Sequence, residues 1–258
     1  MHPILFEWKF LKIHTYGFLI VLGFLVGLYL LRRKAKKAGL DSEQISDVAF
    51  WGLLGGFIGG RLLYIMTRWN DFSQHPLDMF KFWEGGLVFY GGFLGGLVAY
   101  VLRARKYRLP ILKVIDMCAP SLAIAHMFGR FGCFSAGCCY GKPIDPSSPL
   151  AVVFRDPNSI APIGVALHPA QLYDALNAFI IFLILEFLYH RRKFTGQMFA
   201  TYGLLYSIGR YIVEVYRGDK IRGFVVQDMI STSQFISFAI FSGSLYLYFH
   251  YRKQAVAP

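Results

Sequence analysis

Residues 15–37 read TYGFLIVLGFLVGLYLLRRKAKK: seventeen residues without a charge, then six of which five are basic. A helix needs about 20 predominantly apolar residues to cross the roughly 30 Å of hydrocarbon in a bilayer, and a basic run at its end favours the cytoplasmic face. Outward from this stretch, apolar segments and polar punctuation keep alternating. They give seven candidate spans at about 15–31, 47–66, 85–102, 111–129, 171–189, 198–215 and 229–249. The fourth is interrupted by Asp116, Pro120 and His126. Composition agrees with this reading. Of 258 residues 55% are hydrophobic and only 16% charged, where a soluble domain carries about a quarter charged residues. The period-two pattern of a membrane barrel is absent. The expected fold is an all-α integral membrane protein, one polytopic domain over residues 1–258.

Lys and Arg in short loops orient such a chain. The runs RRKAKK (32–37), RARKYR (103–108), HRRK (190–193) and HYRK (250–253) fall on one side if the spans alternate. That side is expected to be cytoplasmic, with the C-terminus. The N-terminus and the loops 67–84, 130–170 and 216–228 then lie on the other, carrying Asp71, Asp78, Glu84, Asp145, Asp156, Asp219 and Asp228. The net charge of +12 thus reflects topology and calls for anionic lipid headgroups, not nucleic acid. A cleaved signal peptide is not expected, because Glu7 precedes the first apolar run and the basic cluster follows it. The first span reads as a retained anchor.

Glycine pairs recur in GGFIGGR (55–61) and EGGLVFYGGFLGG (84–96). Small residues at four-residue spacing let membrane helices approach backbone to backbone. The second run also holds Glu84 and Tyr90, beside Trp83, at a membrane boundary, where broken helix would open a polar cavity. Costlier residues point to a site. Arg61, Arg130 and Arg210 lie within or at the ends of spans, and each needs a partner or a cavity. Arg210 and Glu214 share a helical face, which suits a structural ion pair. Arg130 has no acid near it in sequence, and a guanidinium fork at the outer membrane surface matches a phosphate. Arg130 and Arg210 together would form an anionic headgroup pocket.

Cys133, Cys138 and Cys139 follow Arg130 in GRFGCFSAGCCYGKP (129–143), while Cys118 sits inside the fourth span. Their C-x4-C-C spacing is not a usual zinc pattern, and only scattered histidines, His126 and His168, stand ready to complete one. No metal site is expected. A redox-active thiol pair competes with this reading, although Cys138 and Cys139 lack C-x-x-C spacing.

The ordered motifs resemble those of the prolipoprotein diacylglyceryl transferases of bacterial inner membranes, nearly end to end. HTYGF (14–18) is similar to the family's H-x-Y-G, and IDMCAP (115–120) to x-D-x-x-A-P. GRFGCFSAGCCYGKP resembles the signature G-R-x-G-N-F-x-N-G-E-x-x-G in Gly129, Arg130, Gly132, Phe134, Gly137 and Gly141. LHPAQLYD (167–174) resembles H-P-[ST]-Q-L-Y-E, GRYIVEVYRGD (209–219) resembles R-x-x-x-E-x-x-R, and STSQFIS (231–237) is close to the opening of the last helix.

The resemblance implies a reaction. The diacylglyceryl group of phosphatidylglycerol passes to the thiol of the lipobox cysteine in a prolipoprotein signal peptide, forming a thioether and releasing glycerol phosphate. It also implies a seven-helix protein of the inner membrane, with N-terminus periplasmic, C-terminus cytoplasmic and a small periplasmic head from loop 130–170 near the active site. The protein is expected to act as a monomer without metal or organic cofactor. Arg130 and Arg210 would be the phosphate-binding pair. Tyr16, Asp116, Gly141, His168, Gln171, Tyr173, Glu214 and Arg217 also stand at motif positions and would contribute to the site, all but His168 by binding substrate. Two departures matter: Cys133 and Cys138 replace the signature's Asn and Glu, and Tyr90 stands where the family often has His. A phenol with a pKa near 10 is a poor base at neutral pH. Tyr90 would therefore orient a headgroup, leaving His168 as the candidate base, and the cysteines read as packing or hydrogen-bonding residues. Two other classes stay open at this point: a membrane thiol–quinone oxidoreductase using Cys138 and Cys139, and a non-catalytic anionic-lipid binding or transport protein.

Overall fold

Without water at hand, a backbone must satisfy its own N–H and C=O groups, and the apolar stretches of this chain do so as helices. The computed structural model describes residues 2–8, 11–81, 85–218, 224–226 and 230–256. Trp83, Glu84, Asp219 and Asp228 lie outside these residues. The helices are α1 (Thr15–Lys37), α2 (Ser42–Thr67), α3 (Trp69–Gln74), α4 (Phe89–Lys106), α5 (Ile111–Ala136), α6 (Ala170–Tyr189), α7 (Gln197–Tyr216) and α8 (Thr232–Val256), with a 3-10 turn at Pro76–Phe80. Four of them, α1, α2, α5 and α6, are long and apolar enough to cross a bilayer. The chain is a mostly helical, multi-pass membrane protein.

Several boundaries differ from those read in sequence, each for a physical reason. α1 continues through the basic run to Lys37 and α4 through Arg103 to Lys106. Lys and Arg favour helix, and Arg32, Arg33, Lys36, Lys37, Arg105 and Lys106 are exposed at these ends. α4 starts at Phe89, not at 85, because Gly85 and Gly86 take left-handed φ values of 83° and 81°. α5 contains Pro120 yet runs unbroken to Ala136. The connecting segment is therefore 137–169, and Arg130 and Cys133 are helical residues, not part of the loop. Three antiparallel two-stranded pairs are also present: β1 (Ile4–Trp8) with β2 (Leu11–His14), β3 (Val152–Val153) with β4 (Ala166–Leu167), and β5 (Phe224–Val226) with β6 (Ile230–Ser231).

The chain divides into two compact units, residues 31–114 and residues 1–30 with 115–258. In the first, α2 and α4 pack through the two glycine runs. A Cβ at Gly55 would stand 2.7 Å from the Gly95 carbonyl oxygen, and one at Gly96 would stand 3.0 Å from that of Gly52. A Cβ at Gly59 or Gly91 would collide with the other residue's carbonyl oxygen. This is the small-residue seam expected where backbones touch. Arg61, on α2, is 5% exposed. It donates to the carbonyl oxygens of Asp78 (2.8 Å), Met79 (3.1 Å), Lys81 (3.2 Å), Gly85 (2.6 Å) and Gly86 (3.3 Å). The charge is thus balanced by backbone dipoles, and Arg61 ties down the segment that leads into α4.

In the second unit α1 crosses α5 at glycines. A Cβ at Gly27 would lie 2.9 Å from the Ser121 carbonyl oxygen, and one at Gly23 would lie 2.7 Å from the Phe128 Cβ. Asp116, in the second turn of α5 and 2% exposed, accepts hydrogen bonds from the backbone N–H of Gly196 (2.7 Å) and Phe199 (3.0 Å). These donors lie at the start of α7, where N–H groups have no partner within the helix. Segment 137–169 has its own small core of Phe154, Ala161 and Leu167, with Phe134, Tyr140 and Val152 packed against it.

Candidate active site

α5, α6 and α7 each bring charged side chains into the second unit. Arg130 is fixed by its Nε atom alone, which donates to His126 Nε2 at 2.9 Å and lies 3.0 Å from Asp174 Oδ2. The spacing of His126 and Arg130, four residues apart, stacks them on one face of α5. Asp174, on α6, is 1% exposed. Sequence reasoning left Arg130 without an acid; the structure supplies one from a different helix. The signal was available, because a carboxylate in the apolar run QLYDALNAF must find a partner. Among the described residues no hydrogen bond reaches the two terminal nitrogens of Arg130.

Arg210, on α7, is 7% exposed and pairs with Glu214 through Nη2 at 2.9 Å. This is the helical ion pair expected from the sequence. Its Nη1 is buried with no hydrogen-bond partner among the described residues, as is Asp174 Oδ1. Arg210 lies within electrostatic reach of Arg130, Asp174 and Arg217. Arg217 Nη1 is 4.0 Å from Glu214 Oε2. Arg130 and Arg210 thus lie within electrostatic reach of each other and of Asp174, with N–H groups unspent among the described residues, and this arrangement suits an anion.

Beside this cluster, the turn after α5 folds back on the start of α6. Gln171, 1% exposed, donates from Nε2 to the Cys138 carbonyl oxygen at 2.8 Å. Gly141 N–H donates to the His168 carbonyl oxygen at 3.1 Å, and Gly141 forms an isolated bridge with Arg217. A Cβ at Gly141 would come within 2.6 Å of the His168 Cβ, so the close approach needs glycine. His168 Nδ1 meets the Tyr173 hydroxyl at 3.1 Å, and the rings of His168, Tyr173 and Tyr216 pack with centroids 5.4–6.1 Å apart. Tyr16 opens α1 against Gly132, where a Cβ would lie 3.0 Å from its ring.

One residue picked out in sequence stands apart from this group. Asp116 is 14 positions before Arg130 on the same helix, about 21 Å along its axis, with both carboxylate oxygens engaged at the start of α7. Tyr90 begins α4 in the other compact unit and is half-exposed.

All four cysteines are free. Despite their unusual spacing, the sulfurs of Cys133, Cys138 and Cys139 lie within 4.8 Å of one another. Left-handed φ values at Gly137 (76°) and Cys139 (58°) fold the chain tightly after α5 and aim the three side chains together. Cys138 Sγ also donates to the Cys133 carbonyl oxygen at 3.7 Å. Hydrogen bonds from Cys133 and Cys138 hold the Cys139 thiol below its ordinary range, and Arg217 and Arg130 act in the same direction.

Residues 3–250 match the family described as prolipoprotein diacylglyceryl transferase. The chain belongs to this family. It is 40% identical over 237 residues to the phosphatidylglycerol–prolipoprotein diacylglyceryl transferase of Clostridium tetani, covering 92% of each chain. It is 36% identical over 238 residues to the second such transferase of Clostridium perfringens, covering 92% of this chain and 91% of that one. It is 33% identical over 262 residues to the Geobacter sulfurreducens transferase, covering 99% of this chain and 97% of that one. Membership in a transferase family leaves the oxidoreductase and lipid-transport readings without support. It also makes the anion-seeking arginines, rather than the thiols, the first place to look for chemistry.

Proposed function

We propose that this protein transfers the diacylglyceryl group of phosphatidylglycerol to prolipoprotein, with Arg130 and Arg210 gripping the lipid phosphate. The observation that carries the assignment of the site is the pair of guanidinium groups with unspent N–H donors around buried Asp174. Asp174 and His126 hold Arg130 by Nε, so its outward fork faces the phosphate. Glu214 orients Arg210 in the same way from the next turn of α7.

The sulfur of the incoming lipobox cysteine attacks the glyceryl carbon bonded to the phosphate ester oxygen. A carbon–sulfur bond forms, the carbon–oxygen bond breaks, and its electron pair leaves with glycerol phosphate. Negative charge grows on that leaving group in the transition state, where fixed guanidinium donors are most effective. The thiol, with an ordinary pKa near 8.5, must lose its proton. His168 is the proposed base; with its Nδ1–H donating to the Tyr173 hydroxyl, Nε2 is free to take the proton. Gln171 and Gly141 hold the turn beside the pocket, while Tyr16, Glu214 and Arg217 complete the proposed substrate contacts. Asp116 supports this set from a distance by fixing α7, which carries Arg210 and Glu214 near its end and leads into Arg217.

The same reading gives one polytopic domain of seven spans in the bacterial inner membrane, acting as a monomer. Its N-terminus and the head built from 137–169 face the periplasm, and its C-terminus faces the cytoplasm. The four basic runs support this orientation. The test is turnover by purified protein with phosphatidylglycerol and a lipobox peptide. Glycerol phosphate release with a diacylglyceryl mass gain on the peptide, both lost in Arg130→Ala, is the expected result. Lipid binding without either product would overturn it.

A further inference from the structure

Three thiols that meet in space invite a soft metal ion. The sulfurs of Cys133, Cys138 and Cys139 lie within 4.8 Å of one another. A metal–sulfur bond of about 2.3 Å would set the sulfurs of a flat trigonal site about 4.0 Å apart, within the reach of small side-chain rotations. The cluster is built in, not a chance meeting of mobile side chains. Cys133 sits on the last turns of α5, Gln171 pins the Cys138 carbonyl, and Cys139 is held at a positive φ that non-glycine residues seldom adopt. Strain of this kind persists where surrounding structure enforces it. We propose that Cys133, Cys138 and Cys139 form a three-thiolate binding site for Cu(I).

The choice of ion follows from the donor set. Thiolates select soft d10 cations, and a structural zinc site needs four ligands. The cluster supplies three cysteine sulfurs and no fourth histidine or carboxylate among the described residues. Cu(I) is satisfied by three. Binding exchanges three thiol protons for one Cu(I), with no change of oxidation state, and leaves a net charge of −2 on the site. Arg130 and Arg217, both of which act electrostatically on Cys139, offset that charge. The spacing C-x4-C-C hides this arrangement, because the turn at Gly137 and Cys139, not the sequence interval, brings the sulfurs together.

The experiment titrates the reduced, purified full chain in detergent with Cu(I) under anaerobic conditions, in competition with a chromophoric Cu(I) chelator. No lipid or peptide is present, so the result is independent of the transferase assay. One copper per chain should be withdrawn from the chelator by wild type and by Cys118→Ser. In Cys139→Ser affinity should fall by more than the roughly 100-fold that loss of an outer-shell partner can cost, and the triple Cys133→Ser, Cys138→Ser, Cys139→Ser variant should bind none. X-ray absorption of the copper-loaded wild type should give a first shell of three sulfurs, a readout that needs no variant to fold. Copper left with the chelator by wild type, binding retained in the triple variant, a loss on Cys118→Ser, or a shell of nitrogen and oxygen would each overturn the proposal. So would stoichiometric uptake of zinc in preference to Cu(I).

Discussion

Arg130 carries the site through its geometry as well as its charge. Nε is spent on His126 and Asp174, and the fork remains. Lysine at this position keeps the charge but has no planar pair of donors and no Nε to lock. Arg130→Lys should therefore lower kcat/KM by roughly 10²- to 10³-fold, the range found for losing one donor to a developing negative charge. Steady-state release of glycerol phosphate measures it, and activity near wild type would mean that charge alone suffices. Asp174→Asn should reduce kcat/KM as well, because it frees the guanidinium to turn. Its effect should not add to that of Arg130→Lys in the double variant, since the two residues act as one unit. At this scale the sequence was half legible. An intramembrane arginine announces a partner or a cavity, but the identity of a partner on another helix depends on tertiary packing. Arg61 makes the same point. It is satisfied by five carbonyl oxygens, an answer that no search for acids in the sequence could return.

Among the elements, α7 depends most on a single side chain from elsewhere. Asp116 accepts from two N–H groups at its start, and leaving buried donors without partners costs about 1–3 kcal/mol. Asp116→Ala should lower the thermal unfolding temperature in detergent, while KM for phosphatidylglycerol in the folded fraction stays near wild type. A raised KM with unchanged stability would instead assign Asp116 to the substrate. The α2–α4 seam makes a second demand. Gly59→Leu places a branched side chain against the Gly91 carbonyl, and since packing is what joins membrane helices, the variant should lose monodispersity in size-exclusion chromatography. The existence of the long helices was legible from hydropathy, because lack of charge and lack of water act along a single segment. Their ends were less so. Basic runs extend α1 and α4, and paired left-handed glycines delay the start of α4. Those features depend on helix propensity and backbone geometry, which hydropathy does not measure.

For the molecule as a whole, the basic runs at the ends of α1 and α4, after α6 and at the end of α8 support the proposed orientation of seven spans. An odd number puts the ends on opposite faces. A fluorescent protein that matures only in the cytoplasm should therefore glow when fused after α8, and alkaline phosphatase at the same point should stay inactive; the reverse pattern would invert the topology. That Arg130 and Arg210 share a pocket was expected from the sequence, but that His126, Asp174 and Arg217 join them was not legible at this scale, since these come from α5, α6 and the end of α7, whose order in space no one-dimensional pattern encodes. The glycine seam has a consequence for how such a protein changes over generations. At Gly59 the obstacle to a larger residue is the facing main chain, and at Gly91 it is the facing main chain together with the Leu63 Cβ; the main chain is the same whatever residue stands opposite. A harmful replacement on α2 therefore has no compensating replacement on α4, because nothing there remains to be made smaller. These positions should be revisited by selection one lineage at a time, always returning to glycine, while the lipid-facing residues around them drift.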